Sequence, residues 1–147
     1  MSPLHSTRAL VGRAVVLGDS RLGVCVDALL DHRLQRLVGL DVSSGDTAHR
    51  FLPFPACEVR ADVLAVESSL VLLDRELDFY RLGGSAFSEL RGLPVRVSGA
   101  EVGPLADFLV DDEGDVRTIV ASTPAGEREL DAQEALVLGN HLLRPAV

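Results

Sequence analysis

The chain has 147 residues, of which 47% are hydrophobic and 24% charged, as is typical of one ordinary globular domain or two very small ones. Aromatic residues amount to only 4%, so we expect an aliphatic core with little stacking surface for bases or sugars. The net charge of −8 argues against direct nucleic-acid binding, because a phosphate backbone repels an anionic surface. Residues 74–147 hold 14 acidic side chains against 7 basic ones.

The chain shows no signal for a membrane or a secretory route. No apolar run approaches the ~20 residues needed to span a bilayer, and the first ten residues lack the apolar stretch of a signal peptide. We therefore expect no membrane insertion and a cytoplasmic location. Cys25 and Cys57 are expected to remain thiols packed in the core.

The chain contains a repeat, which is found when the sequence is compared with itself. Seven residues recur 80 positions later: Leu10, Gly12, Val15, Gly23, Asp27, Leu29 and Asp31 match Leu90, Gly92, Val95, Gly103, Asp107, Leu109 and Asp111. Further along, the offset becomes 78, where Arg50, Leu52, Val59 and Leu64 match Arg128, Leu130, Val137 and Leu142. Two homologous units follow, the second with a loop two residues shorter.

Each unit is predicted to begin with a β-hairpin. Short apolar runs at 13–17 and 94–97 are followed by Gly-bearing turns, and longer Val/Leu-rich strands follow at 22–30 and 102–110. Gly23 and Gly103 near the start of the longer strands predict bulges.

The remaining strands of each unit also recur. Third strands are predicted at 36–42 and 116–122, and fourth strands pass through Leu52 and Leu130. A capping box at 131–134 predicts one short helical turn, with 55–59 in the matching place. Between the units, Leu73, Leu77 and Tyr80 predict a short helix with one apolar face, ended by Gly83 and Gly84, after which Ser85 would cap a second turn.

These elements predict an all-β chain of two tandem small antiparallel β-barrels joined by a short helical linker, because closure removes exposed strand edges. The expected domains are 6–73, a helical linker at 74–87, and 88–147. Units this small bury too little surface to be stable alone, so we expect them to pack on one another or on a second chain, which leaves a homodimer open.

The repeated pattern resembles the PRC-barrel family. It consists of a Leu-x-Gly opening, a Val strand, a Gly turn, a Gly-x-x-x-Asp strand, a strand that ends in a polar turn, and an apolar-Pro-apolar edge. In this chain these are Leu10 to Gly12, Val15-Val16, Gly18-Asp19, Gly23 to Asp27, Leu37 to Val42, and Phe51 to Phe54. The second unit has Asp131 and Ala132 in place of Pro53 and Phe54.

The resemblance implies a non-enzymatic binding and assembly module. It extends to the cytoplasmic domain of the photosynthetic reaction-centre H subunit and to the C-terminal domain of the ribosome-maturation factor RimM. This chain lacks the membrane helix of the first and the different N-terminal domain of the second, so neither role is transferred directly.

The residues point to no catalytic, metal or cofactor site. Cys25 matches Leu105 in the other unit, so a plain apolar side chain is tolerated at that position, and no nucleophile with a base is apparent. The acidic stretch 111–115 lacks the ligand spacing of a calcium loop and is typical of a tight turn between strands. Asp27 and Asp107, like Asp31 and Asp111, are predicted to bond backbone groups in turns.

Two surfaces are candidates for binding a protein partner. The first is the apolar edge with Phe51, Pro53 and Phe54, for which core packing or contact with the other unit is the alternative. The second is the acidic stretch, which would bind a basic protein surface. Its residues are Asp111, Asp112, Glu113 and Asp115.

The function expected from the sequence is a protein-protein interaction or assembly adaptor. The alternative is a small-molecule-binding or sensor module that uses the crevice between the two units.

Overall fold

The computed structural model describes residues 3–45, 48–74 and 76–137. The first half contains β1 (His5–Ser6), α1 (Thr7–Leu10), β2 (Ala14–Leu17), β3 (Ser20–Asp31), β4 (Leu37–Ser44), β5 (His49–Pro53), β6 (Glu58–Val59) and β7 (Val63–Ala65), with 3-10 helices at Phe54–Ala56 and Ser69–Val71. The second half contains α2 (Glu76–Gly83), β8 (Gly84–Ala86), α3 (Phe87–Leu90), β9 (Pro94–Val97), β10 (Ala100–Val110), β11 (Val116–Thr123), β12 (Gly126–Asp131) and β13 (Ala135–Val137). The predicted β-rich class is confirmed.

The strands form two sheets. The first runs in the order β5-β4-β3-β2-β7-β6, and the second in the order β12-β11-β10-β9-β13. The pairing of β2 with β7 is parallel, whereas the sequence predicted antiparallel pairing throughout. The repeat partner of Leu64, Leu142, and the end of the predicted second domain lie outside the described residues.

Neither sheet closes on itself. Among the strands at 3–45, 48–74 and 76–137, no pair joins the two ends of a sheet, so the predicted tandem closed barrels are not confirmed. Both long strands instead bend at register shifts, between Cys25 and Asp27 in β3 and between Leu105 and Asp107 in β10. Such bulges curve a sheet without requiring closure.

The two halves exchange short strands. β1 pairs antiparallel with β10 of the second sheet, through His5 and Val110, while β8 pairs antiparallel with β3 of the first sheet, through Leu30 and Ser85. His5 and Ser85 are equivalent positions of the repeat, so the exchange is reciprocal. Each sheet therefore includes a strand from beyond the domain boundary that the sequence predicted.

A single core joins the two halves. Its buried residues come from both sheets and from both short helices, and they include Leu10, Leu30, Phe87, Phe108 and Val110. The two units therefore pack on one another within one chain, as one of the sequence expectations allowed.

Gly23 and Gly103 mark the predicted bulges. Register shifts occur beside both of them where the long strands pair with β2 and β9. A Cβ at Gly103 would collide with the carbonyl oxygen of Ser122, and one at Gly23 would lie 2.6 Å from that of Ser43. Only glycine allows the neighbouring strand to approach this closely.

The predicted linker helix corresponds to α2. Leu77 and Tyr80 pack toward the first sheet as expected, but Leu73 precedes the helix and forms a β-bridge with Phe51. Ser85 does not cap the next helix, because it lies in β8. The segment predicted as a helical turn at 131–134 is a turn before β13.

The helices within the described ranges are short. None of them has the combination of length and apolar character that crossing a bilayer requires.

Candidate functional site

The apolar edge predicted to bind a partner is mostly buried. Phe51 and Phe54 are each only 2% exposed, and Pro53 is half-buried. The Phe51 ring stacks on Tyr80 of α2 at a centroid distance of 4.3 Å, and Phe54 lies in the core, edge-on to His5 at 6.3 Å. In this fold Phe51 and Phe54 contact other parts of the same chain, as in the core-packing alternative, and neither ring is exposed to a partner.

The acidic loop, residues 111–115, is organised around Asp111. Its carboxylate accepts hydrogen bonds from the backbone N–H groups of Glu113 and Asp115, each at 3.0 Å, and from Nε of Arg117 at 2.8 Å. Partial burial acts to raise the pKa of Asp111, but these bonds outweigh it and hold the pKa below its ordinary value. This is the turn bonding that the sequence predicted for Asp111.

Two further acids of the loop are also engaged within the chain. Asp112 lies 2.6 Å from Nε2 of His5, and Asp115 lies 3.3 Å from Nε of Arg36. Glu113 is exposed, and its carboxylate forms no ion pair with the described part of the chain. The structure thus brings the predicted acidic residues together, but leaves one of the four charges fully available to another molecule.

Asp27 and Asp107 have a role that the sequence did not indicate. Asp107 accepts a hydrogen bond from the backbone N–H of Arg8 at 2.8 Å and another from the hydroxyl of Ser6. Asp27 accepts bonds from the backbone N–H and the hydroxyl of Ser88, at 3.0 and 2.5 Å. Each carboxylate therefore holds the first turn of the short helix that belongs to the opposite unit, in addition to the backbone N–H of the residue that follows it.

The cysteines are poorly suited to nucleophilic chemistry. Cys25 is fully buried, and Cys57 is half-buried. Burial raises the pKa of Cys25 to about 12 and that of Cys57 to about 11. Both side chains are therefore neutral thiols at physiological pH, and only a thiolate is an effective nucleophile. Nor does any part of the chain within the described ranges group three or more His, Cys, Asp or Glu side chains in a geometry that could hold a metal ion.

Helix α2 exposes large apolar side chains to solvent. Phe79 is 70% exposed and Leu82 is 90% exposed, and because they are three residues apart they share one side of the helix. Glu76 lies three residues before Phe79, and Asp78 four residues before Leu82. We call these four residues the outward face of α2.

The opposite side of α2 is fixed to the first sheet. Leu77 is buried against Leu29 and Phe51, and the guanidinium of Arg81 donates to the carboxylate of Asp41. Asp41 is itself buried in β4. The helix is therefore held by an apolar contact and by an ion pair.

The Asp41 carboxylate has a second side-chain partner, because Nδ1 of His49 lies 2.8 Å from it. Asp41, which holds Arg81 of α2, is therefore itself held in place. An ordered helix presents its outward side chains at little further entropic cost on binding.

The outward face was not predicted from the sequence. The spacing of Leu73, Leu77 and Tyr80 placed the helix, although Phe79 and Leu82, which are three residues apart, are also at helical spacing. A helix with apolar residues on two sides leaves one of these sides exposed once the other packs on a sheet. The second set of apolar residues was therefore the sequence feature that could have indicated the outward face.

Comparisons with known proteins add no relative: a scan against models of protein families finds no family that matches the chain, and a search of curated proteins finds no matching sequence.

Proposed function

We propose that the chain is a non-enzymatic adaptor of the PRC-barrel type that binds a basic, amphipathic segment of a partner protein on the outward face of α2. The observation that carries this proposal is the exposure of Phe79 and Leu82 on a helix whose other side is fixed to the sheet. The repeat pattern shared with the family supports the non-enzymatic role.

The apolar residues provide the affinity. Burial of a large apolar side chain contributes roughly 1.5–3 kcal/mol, so Phe79 and Leu82 together contribute about 3–6 kcal/mol of the roughly 8 kcal/mol of a micromolar complex. Isolated exposed apolar residues are common, but Phe79 and Leu82 lie side by side on an anchored helix and form a small contiguous apolar surface.

The charges define the partner. The carboxylates of Glu76 and Asp78 form no ion pair with the described part of the chain, and they flank the apolar pair. The whole chain carries a net charge of −8. A partner segment with Lys or Arg beside its apolar residues matches this surface and is attracted to it at long range.

The test uses a synthetic helical peptide with leucine on one face and lysine elsewhere, and a matched peptide with glutamate in place of lysine. Calorimetry should show that the intact chain binds the first and not the second. The double variant Phe79→Ser/Leu82→Ser should weaken binding about 100-fold or more while unfolding at the same temperature, since neither side chain is buried.

Two control variants locate the site. Leu70→Ser removes an apolar side chain that is 84% exposed but lies outside α2, and Glu113→Lys reverses the free charge of the acidic loop. Both should leave peptide binding unchanged. A loss of binding in Leu70→Ser equal to that in the double variant would overturn the proposal, and a loss in Glu113→Lys alone would move the site to the acidic loop.

The oligomeric state supplies an independent check. Sedimentation of the unmodified chain should give a monomer, because Glu76 and Asp78 would repel their counterparts if two copies met through this face. A dimer that the Phe79→Ser/Leu82→Ser variant dissolves would replace the basic partner with a second copy of the chain and contradict the proposal.

A further inference from the structure

A crevice of about 560 Å³ lies between the two halves of the chain. The loop between β3 and β4 provides one wall, and strands of the second sheet, with the turn after β12, provide the other. Its lining includes Arg33, Leu34 and Gln35 from the first half and Asp115, Arg117, Gln133 and Leu136 from the second. The volume is in the range of small-molecule sites.

The walls of this crevice are linked by backbone hydrogen bonds. The N–H of Leu37 donates to the carbonyl of Gly114 at 2.8 Å, and the N–H of Val116 donates to the carbonyl of Gln35 at 2.9 Å. The loops of the two units are thereby joined in one β-bridge. A site built on such a fixed frame needs little reorganisation to accept a ligand.

Leu34 occupies an unusual backbone conformation at this position. Its φ is +58°, in the left-handed region that disfavours leucine, and the equivalent residue of the other unit, Gly114, has a φ of +93°. The Leu34 side chain is nevertheless buried and lines the crevice. Strain of this kind, about 1–3 kcal/mol, is found preferentially where a structure serves a ligand.

The lining of the crevice carries the guanidinium groups of Arg33 and Arg117 and the carboxylate of Asp115, which is paired with Arg36 and Arg117. The guanidinium of Arg33 is exposed and forms no ion pair within the described ranges, whereas Arg117 is occupied by Asp111 and Asp115. An unpaired guanidinium beside apolar side chains is well suited to a planar carboxylate with an apolar body.

We infer that this crevice binds a small organic carboxylate whose charged end meets Arg33 and whose apolar part lies against Leu34 and Leu136. The exposed amides of Gln35 and Gln133 can donate to the same carboxylate. Binding at this site is independent of docking on α2, and it identifies the ligand class for the small-molecule function that the sequence left as the alternative.

The probe is octanoate, with neutral octanamide as the matched ligand and the full chain as the receptor. Octanoate should raise the unfolding temperature in proportion to the logarithm of its concentration, and octanamide should raise it much less. In calorimetry, Arg33→Gln should weaken octanoate binding about 10-fold, the expected loss for one hydrogen bond to a charged group. Arg21→Gln, at an exposed arginine of β3, should not weaken it.

Three results would overturn the inference. They are an unfolding temperature unchanged by millimolar octanoate, equal binding of octanoate by the chain with and without Arg33→Gln, and loss of octanoate binding in Phe79→Ser/Leu82→Ser. The last would place the ligand on α2. Because Arg33 is exposed, its replacement should leave the unfolding temperature without ligand unchanged.

Discussion

Replacement of Asp107 by alanine should weaken the attachment between the two halves of the chain. The carboxylate is 1% exposed and accepts three hydrogen bonds, from the backbone N–H groups of Arg8 and Phe108, each at 2.8 Å, and from the hydroxyl of Ser6. Alanine would leave all three donors without this acceptor. A buried donor that loses its partner costs about 1–3 kcal/mol, and partial access of water to Ser6 and Arg8 brings the expected total to about 3–5 kcal/mol.

The equivalent substitution in the other unit should cost less. Asp27 also accepts three bonds, from the backbone N–H groups of Ala28 and Ser88 and from the Ser88 hydroxyl. Asp27 is half-buried, however, and Ser88 is exposed, so water can replace the lost acceptor. We expect Asp27→Ala to lower the free energy of unfolding by about 1–3 kcal/mol.

Urea unfolding followed by far-UV circular dichroism measures both losses, and it suits a chain without tryptophan. Glu129→Ala removes an exposed carboxylate that forms no ion pair with the described residues and should change the free energy of unfolding by less than about 0.5 kcal/mol. If Asp107→Ala does not fold, Asp107→Asn, which keeps one acceptor oxygen, should still be measurably destabilised. A change within that same 0.5 kcal/mol for Asp107→Ala would refute the reasoning.

Three other outcomes are expected. The depressed pKa of Asp111 contributes stability that is present above its unfolded pKa near 4 and is lost as the pH falls through the lower folded value. Asp111→Asn should therefore reduce the loss of stability on acidification, measured as the free energy of unfolding against pH. An unchanged loss on acidification would count against the Arg117 contact. Because their pKa values are raised, Cys25 and Cys57 should react slowly with a disulfide reagent at pH 8 until urea is added, and rapid reaction in the folded state would contradict their burial. Gly103→Ala should lower the free energy of unfolding by more than about 2 kcal/mol. The control is Gly45→Ala, because a Cβ at Gly45 meets nothing within 4 Å. A loss of stability in Gly103→Ala no larger than in this control would show that the neighbouring strand can move aside.

The repeat allowed much of the fold to be predicted. The offset of 80 residues placed the hairpins, the long strands and their bulges, because glycine and alternating apolar residues leave local signals. The exchange of β1 and β8 left no such signal, since strands of two and three residues have no measurable periodicity. The extra strand that each sheet receives was likewise not predicted: β1 occupies the edge of β10 beyond the end of β9.

The candidate site was less predictable because its contacts are distant in sequence. The partners of Asp27 and Asp107 lie 61 and 99 residues away, so a pattern that suggested local turns could not reveal them. For Phe51, composition could not distinguish a partner surface from a core, because both favour aromatic residues. The stacking partner of Phe51, Tyr80, comes from the linker helix, and this contact decides the question.

The most direct test of the proposed adaptor function is a nuclear magnetic resonance map of the ¹⁵N-labelled chain titrated with the leucine/lysine peptide. The account predicts that the shifted amides cluster at α2, between Glu76 and Gly83, and on the adjoining edge of the first sheet. Amide shifts confined to residues 111–115, with α2 unchanged, would contradict it and return the binding site to the acidic loop.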